Sequence, residues 1–132
     1  MITRINHVGI AVNSIDQALK LYAETLGLSI KGIEVVEEQR TRTAILPVGE
    51  SKIELLESTD PESPIAKYIA KFGEGMHHLA LEVADIEEAL SKVVQSNIPL
   101  IDEQPRKGVE GTRIAFLHPK GTGRVLLELV QS

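Results

Sequence analysis

The sequence of 132 residues predicts an α+β fold in which two βαβββ modules form a curved mixed sheet around a metal-binding cleft. The first observation behind this prediction is a repeat. The segment that begins at His7 recurs at His78, 71 residues later, and the match continues without a gap through an Ala-Leu pair. The second is a glutamate between aliphatic residues near the end of each half, Glu54 and Glu128, which are 74 residues apart. One histidine and one glutamate per copy can bring two imidazoles and two carboxylates to one centre.

Each repeat opens with a strand whose two faces differ. Alternation places Val8, Ile10 and Val12 on one face, and His7 with small residues on the other. The second copy alternates in the same way around His78. We therefore expect the apolar face to pack against a helix and the histidine face to leave room for a ligand.

A helix is predicted directly after each opening strand. Ser14 and Asp85 each stand three residues before a Gln or Glu, which is the spacing of a capping box, and an apolar stripe with helical spacing follows. Gly27 and Asn97 stand where left-handed residues usually end helices. The same start and stop signals twice over favour a duplicated strand-helix unit.

Three further strands are predicted after each helix, at 29–37, 41–48 and 52–57, and at 99–104, 112–117 and 124–130. We expect a single domain over 1–132, made of modules 4–58 and 75–131 with a helical connector at 61–73 that Ser63 caps. Half of this chain has a length at which a hydrophobic core is marginal and usually needs a partner. A sheet shared by both modules is therefore favoured.

Composition excludes several classes of function. The formal net charge of −5 argues against nucleic-acid binding, which needs a basic surface. No apolar run approaches the roughly 20 residues that span a bilayer, and the first residues lack the pattern of a signal peptide. The chain has no cysteine, so disulfides and thiolate ligands are excluded. We expect a cytoplasmic protein with neither nucleic acid nor membrane as a partner.

Four side chains at matching repeat positions are the candidate metal ligands: His7, Glu54, His78 and Glu128. Each glutamate points away from its aliphatic neighbours, and a carboxylate facing the inside of a sheet is costly unless it is paired or coordinated. Two nitrogens and two oxygens suit Co²⁺, Mn²⁺, Ni²⁺, Zn²⁺ or Fe²⁺. An octahedral ion with four protein ligands keeps two adjacent positions for water or substrate. His77 faces away from His78 and His118 lies in a turn, so packing and turn roles are expected for them.

The paired βαβββ pattern with these ligands resembles the vicinal oxygen chelate superfamily, whose fold is also called glyoxalase-like. Segments 6–12, 63–67, 75–80 and 116–120 are similar to motifs of its methylmalonyl-CoA epimerase family. The His-His pair and the His-Pro-Lys turn within these segments are the most specific parts of the match. The resemblance covers essentially the whole chain.

This resemblance implies the metal ligands His7, His78 and Glu128, with Glu54 in the fourth position. It also implies that (2R)- and (2S)-methylmalonyl-CoA are interconverted by abstraction of the α-proton through an enolate. The cofactor it implies is a divalent metal ion, with Co²⁺ preferred and Mn²⁺, Ni²⁺ or Zn²⁺ as alternatives. A homodimer is expected on the same grounds.

Epimerisation needs a proton-transfer group on each face of the α-carbon. Glu128 is the first candidate for a catalytic role and Glu54 the second. Some family members carry another glutamate on the preceding strand, but 41–46 contains no acid here. The second group therefore stays open between Glu54, a bound water and a relay. Three basic residues beside Gly-rich turns are predicted to bind the coenzyme A phosphates: Lys120, Arg113 and Arg124.

Three other functions are possible on this fold. Glyoxalase I shares the enolate chemistry and a His/Glu/His/Glu ligand set, but it typically has an Asp-Pro-Asp-Gly-like turn where this chain has His118-Pro119-Lys120-Gly121. A non-enzymatic protein that binds a small molecule does not need the full set of ligands. A ring-cleaving dioxygenase usually has two histidines, one glutamate and redox-active iron.

Overall fold

The computed structural model describes all residues from Met1 to Ser132 and contains eight strands and three α-helices. The elements are β1 (Ile2–Ala11), α1 (Ile15–Leu19), β2 (Gly32–Val36), β3 (Thr41–Val48), β4 (Ser51–Ser58), α2 (Pro64–Phe72), β5 (Gly75–Val83), α3 (Ile86–Gln95), β6 (Arg106–Lys107), β7 (Arg113–Phe116) and β8 (Leu127–Gln131). None of the helices has both the length and the apolar character needed to cross a membrane.

The chain forms two compact units. The terminal unit consists of Met1–His7 and His78–Ser132, and the central unit consists of Val8–His77. In the terminal unit the strand order is β1-β5-β8-β7-β6, with β5 parallel to β8 and the β8-β7 and β7-β6 pairs antiparallel. In the central unit the order is β2-β3-β4-β1, with the first two pairs antiparallel. Parallel and antiparallel strand pairs together with three helices confirm the predicted α+β class.

The predicted start signals of all three α-helices are confirmed. The Ser14 hydroxyl accepts a hydrogen bond from a backbone N–H in the first turn of α1 at 3.2 Å. The Asp85 carboxylate does the same for α3 at 3.0 Å, and the Ser63 hydroxyl does so for α2 at 3.0 Å. The predicted left-handed stops are also present, since φ is 78° at Gly27 and 60° at Asn97.

The first helix changes its winding, which the sequence did not indicate. Lys20–Thr25 continues α1 as a π-helical turn. There the N–H of Leu26 bonds to the carbonyl of Leu21 at 2.8 Å, and the Thr25 hydroxyl donates to the Lys20 carbonyl at 3.0 Å. The backbone bond from Leu26 to Leu21 spans five residues, which is the spacing of a π-helix. The apolar stripe fits either winding, so periodicity alone did not separate them.

The strand predicted at 99–104 is wrong. Leu100 forms only an isolated bridge with Leu117, and the short strand β6 lies further along the chain. The Asp102 carboxylate accepts the N–H of Phe116 at 2.9 Å. A side chain therefore bonds to a backbone group that a neighbouring strand would otherwise use.

Each unit has an apolar core between its strands and a helix. In the central unit Ile15 of α1 clusters with Ala44 and Leu55, and all three are fully buried. In the terminal unit Ile86 of α3 clusters with Ala115 and neighbouring aliphatic residues. These helices cover one face of the strands, as the alternation in β1 and β5 predicted. The other face of the terminal unit carries the polar groups described next.

Candidate metal centre

Three of the four predicted ligands lie together in the terminal unit. His7 is on β1, His78 on β5 and Glu128 on β8. The parallel register of β5 and β8 places Ala80 opposite Glu128. Because Ala80 carries only a methyl group, the Glu128 carboxylate has room above the strands. The small residue that the sequence places two positions after His78 therefore helps to form the site.

The donor atoms of these three residues are close to one another. Nε2 of His7 lies 2.9 Å from Nε2 of His78. Oε1 of Glu128 lies 3.1 Å from Nε2 of His7 and 2.9 Å from Nε2 of His78. All three residues are buried, with exposures of 3%, 8% and 4% for His7, His78 and Glu128. The three side chains therefore direct one nitrogen or oxygen atom each to a common point.

These spacings fit a divalent metal ion. Donor atoms about 2.1 Å from an ion are about 3.0 Å apart at adjacent octahedral corners and about 3.4 Å apart in a tetrahedron. The separations of 2.9, 3.1 and 2.9 Å match three adjacent octahedral corners. Two imidazoles and one carboxylate are also the donor types that borderline divalent ions prefer. His7, His78 and Glu128 are thus suited to hold such an ion.

The negative charge of Glu128 also favours a cation at this site. Burial is the largest influence on Glu128 and opposes its ionisation, but the neighbouring His78 and His7 lower its pKa to about 2. Glu128 is therefore an anion at neutral pH. A buried anion beside two imidazoles requires a proton or a metal cation at their common point.

Glu54 is not one of the three clustered residues. It belongs to the central unit, on β4, where it pairs in register with Ile45 of β3. Its exposure is only 3%, so the predicted orientation of its carboxylate away from solvent is confirmed. Its role as the fourth ligand stays a prediction.

The other two histidines have the packing and turn roles predicted for them. The ring of His77 lies edge-on to Tyr68, with the ring centroids 5.0 Å apart. His118 is exposed, and its Nδ1 accepts a hydrogen bond from the backbone N–H of Lys120 at 3.1 Å. Neither belongs to the three-residue cluster.

The three predicted phosphate-binding cations are all exposed. Lys120 lies in a 3-10 turn at Pro119–Gly121, and Arg124 follows it with a left-handed φ of 71°. Arg113 differs because its guanidinium is already paired with the Glu87 carboxylate, which raises the pKa of Arg113 and lowers that of Glu87.

Three supporting residues were missed by reasoning from the sequence. The Asn6 side chain bonds to His7, and the Glu82 carboxylate bonds to Asn6. The ring of Phe116 lies edge-on to His78, with centroids 5.5 Å apart. Two signals were available, because Asn6 directly precedes His7 and Glu82 shares the face of His78 in the alternation of β5.

Comparison with known proteins places this centre in context. The sequence profile of the Glyoxalase/Bleomycin resistance protein/Dioxygenase superfamily matches residues 6–116. The mitochondrial methylmalonyl-CoA epimerase of Homo sapiens is 35% identical over 130 residues, which are 98% of this chain and 74% of the human protein. An ethylmalonyl-CoA/methylmalonyl-CoA epimerase of Cereibacter sphaeroides is 33% identical over 133 residues, covering 99% of each protein. A solved methylmalonyl-CoA epimerase in complex with methylmalonyl-CoA and ammonium has a TM-score of 0.97 at 39% identity, covering 100% of this chain and 96% of that one.

These similarities confirm the resemblance and the fold class that the sequence predicted. The profile covers both histidines and all of β5, and the similarity to the relatives extends over nearly all of the chain. The chain belongs to the Glyoxalase/Bleomycin resistance protein/Dioxygenase superfamily, and these similar proteins within it are methylmalonyl-CoA epimerases.

Proposed function

We propose that this protein is a methylmalonyl-CoA epimerase that interconverts the (2R) and (2S) forms of its substrate by abstracting and returning the α-proton. The observation that carries this proposal is the triangle of donor atoms of His7, His78 and Glu128, with sides of 2.9, 3.1 and 2.9 Å. The chain that contains this triangle is similar over nearly its whole length to methylmalonyl-CoA epimerases, and a solved structure of one has the same fold.

His7, His78 and Glu128 would hold a divalent metal ion, with Glu54 as the proposed fourth ligand. We propose Co²⁺, with Mn²⁺, Ni²⁺ or Zn²⁺ as alternatives. When bound, the ion would polarise the carboxylate and thioester oxygens of the substrate and stabilise the negative charge of an enolate. Glu54 is supported by its burial and by its position, which matches that of Glu128 in the sequence repeat.

Glu128 and Glu54 are the proposed proton-transfer groups. Both are buried carboxylates, so bulk water is kept from the protons that they would transfer. Thr41–Val48 offers no acid as an alternative second base, since its only ionisable side chain is that of Arg42. Arg42 lies 3.6 Å from Glu57 and so belongs to an ion pair.

Lys120, Arg124 and Arg113 are the proposed contacts for the phosphates of coenzyme A. Lys120 and Arg124 flank one exposed Gly-containing turn, which supports their assignment. Arg113 would have to exchange its contact with Glu87 for a phosphate. A homodimer and a cytoplasmic location complete the proposal. The homodimer rests on the family resemblance and the location on the sequence.

Exchange of the substrate α-proton with solvent tests this function. Cobalt-loaded protein is added to methylmalonyl-CoA in D₂O, and the α-proton is followed by NMR beside a protein-free control. Loss of that signal with the thioester intact supports epimerisation. Exchange no faster than in the control contradicts it, and turnover of the glutathione adduct of methylglyoxal would then favour glyoxalase I.

A further inference from the structure

A chain of buried polar groups extends away from His7 on the side opposite the metal centre. Nδ1 of His7 lies 2.7 Å from Oδ1 of Asn6. Nδ2 of Asn6 donates to Oε1 of Glu82 at 2.7 Å. Asn6 is 2% exposed and Glu82 9% exposed, so neither hydrogen bond is in open solvent. All of these residues belong to the terminal unit.

Glu82 is fixed by further donors. The backbone N–H and the hydroxyl of Ser132 donate to its two carboxylate oxygens at 2.9 and 3.0 Å, and a guanidinium nitrogen of Arg4 lies 3.6 Å away. Burial is the largest influence and raises the pKa of Glu82, but these hydrogen bonds, the one from Asn6 and the Arg4 charge lower it overall. Glu82 is therefore a carboxylate anion held in one position.

An anionic carboxylate determines how the Asn6 amide is oriented. A carboxylate has no hydrogen to donate, so the Asn6 group that faces it must be the NH₂. The Asn6 oxygen then faces His7 and can only accept a hydrogen bond. Nδ1 of His7 must therefore carry the hydrogen of that contact.

We propose that Asn6 and Glu82 are positioning residues, which fix the Nδ1–H tautomer of His7 and so direct its Nε2 lone pair to the metal. A neutral imidazole has one protonated nitrogen, and only the other can bind a metal ion. With Nδ1 protonated, Nε2 of His7 faces Oε1 of Glu128 at 3.1 Å, and both atoms are electron-pair donors. Two such atoms repel each other unless a cation lies between them.

The residue before the ligand histidine differs in the second repeat. His77 occupies the position before His78, but its ring packs against Tyr68 in the central unit. The ring of Phe116 lies edge-on to His78. The residues before the two histidines therefore make different contacts, and we expect the histidines to respond differently when that preceding residue is changed.

The test uses zinc binding to the full chain, because Zn²⁺ is diamagnetic and allows NMR of the bound state. This inference rests on metal binding by the proposed site but not on the epimerase reaction, and no methylmalonyl-CoA is needed. In the zinc-loaded protein, ¹⁵N–¹H correlation spectra should show His7 bound through Nε2, with a downfield Nδ1–H that exchanges slowly with water. Zinc binding through Nδ1 of His7, or a rapidly exchanging Nδ1–H, would overturn the proposal.

Variants measure how much the hydrogen-bonded series His7–Asn6–Glu82 contributes to the affinity for zinc. Asn6→Leu should weaken zinc binding by about 10–100-fold, the usual effect of removing an outer partner of a ligand, and should abolish slow exchange at Nδ1. Thr3→Val is the matched control, since the Thr3 hydroxyl bonds only to the backbone carbonyl of Glu82, at 3.4 Å. It should bind zinc within about twofold of wild type on the same reasoning.

A charge exchange separates positioning from a merely structural role. The double variant Asn6→Asp, Glu82→Gln exchanges the amide and the carboxylate between positions 6 and 82. The carboxylate at position 6 can then accept hydrogen bonds from both Nδ1–H of His7 and the new amide at position 82. We expect affinity and slow exchange to be restored toward wild type, whereas Asn6→Asp alone places two carboxylates side by side. Failure of the folded double variant to recover either property would overturn the proposal.

Wild-type protein that does not bind zinc would contradict the metal site as well, whereas normal zinc binding unaffected by Asn6→Leu would contradict only this inference.

Discussion

Nε2 of His7 and Nε2 of His78 lie 2.9 Å apart, although 71 residues separate them in the chain. The two histidines occupy the same position in the sequence repeat. The repeat thus places two candidate ligands on neighbouring strands of the terminal unit, β1 and β5. Glu128 on β8 completes a set of three that neither repeat contains alone.

Removal of one ligand histidine should empty the centre. We expect His78→Ala to lower the affinity for Co²⁺ or Zn²⁺ by more than about 100-fold, beyond the usual effect of losing an outer partner. His77→Ala is the control, because His77 packs on Tyr68 and lies outside the cluster. Metal content by mass spectrometry of the dialysed variants checks this. Equal metal content in His78→Ala and wild type would contradict the proposed ligand set.

Glu128 is predicted to act in proton transfer as well as in metal binding. Glu128→Gln keeps an oxygen donor but removes the base, so kcat should fall by about 10²-fold or more, with a smaller loss of metal affinity. Steady-state kinetics and metal titration of the same preparation measure the two effects. Parallel losses in both would make Glu128 a ligand alone.

Glu82 should contribute to stability in a defined pH range. Because its folded pKa is below the ordinary value of 4.5, its stabilising effect is fully present above about pH 4.5 and is lost as the pH falls through the folded pKa. The free energy of unfolding of the metal-free protein should therefore decrease with acid, and Glu82→Gln should flatten that decrease. Urea titrations between about pH 3 and 7 measure it. Glu103→Gln, at an exposed bend, is the control and should leave the acid dependence unchanged.

Ser63 is predicted to be the most important helix cap. Its hydroxyl is fully buried, accepts the N–H of Ala66 at 3.0 Å and donates to Oγ of Ser58 at 2.7 Å. Ser63→Ala should lower the free energy of unfolding by about 1–2 kcal/mol. Ser14→Ala removes an exposed cap bond and should cost less, about 0.5 kcal/mol. Equal losses in denaturant titrations would show that burial of the cap has no effect.

The exposed cations are expected to act on substrate affinity. Lys120→Ala and Arg124→Ala should each raise KM for methylmalonyl-CoA several-fold with little change in kcat, since phosphate contacts are made equally in ground and transition states. Arg113→Ala should have the smallest effect, because Arg113 is already paired with Glu87. Unchanged KM in all three variants would place the phosphates elsewhere.

Much of this fold and site could be predicted from local signals. Ser14, Ser63 and Asp85 mark helix starts through hydrogen bonds that span three residues, which the sequence encodes directly. The repeat likewise singled out His7 and His78, which the structure brings together, because a duplicated residue is visible in the sequence without knowledge of the tertiary structure.

The features that were missed depend on contacts between distant residues. The bond between Asn6 and Glu82 joins residues 76 positions apart, and only the register of neighbouring strands brings them together. The strand predicted at 99–104 failed for a similar reason, since Asp102 bonds to Phe116 fourteen residues later. Composition and periodicity contain no information about such pairs.

The most direct test of the metal-assisted epimerase is α-proton exchange measured as a function of bound metal. Metal-free protein is titrated with Co²⁺ in D₂O, and the exchange rate of methylmalonyl-CoA is plotted against the ions bound per chain, with His78→Ala beside wild type. The wild-type rate should rise in proportion to occupancy and level off at about one ion per chain, while His78→Ala stays at the protein-free rate. Full exchange in the metal-free protein, or none at full occupancy, would contradict the proposed centre.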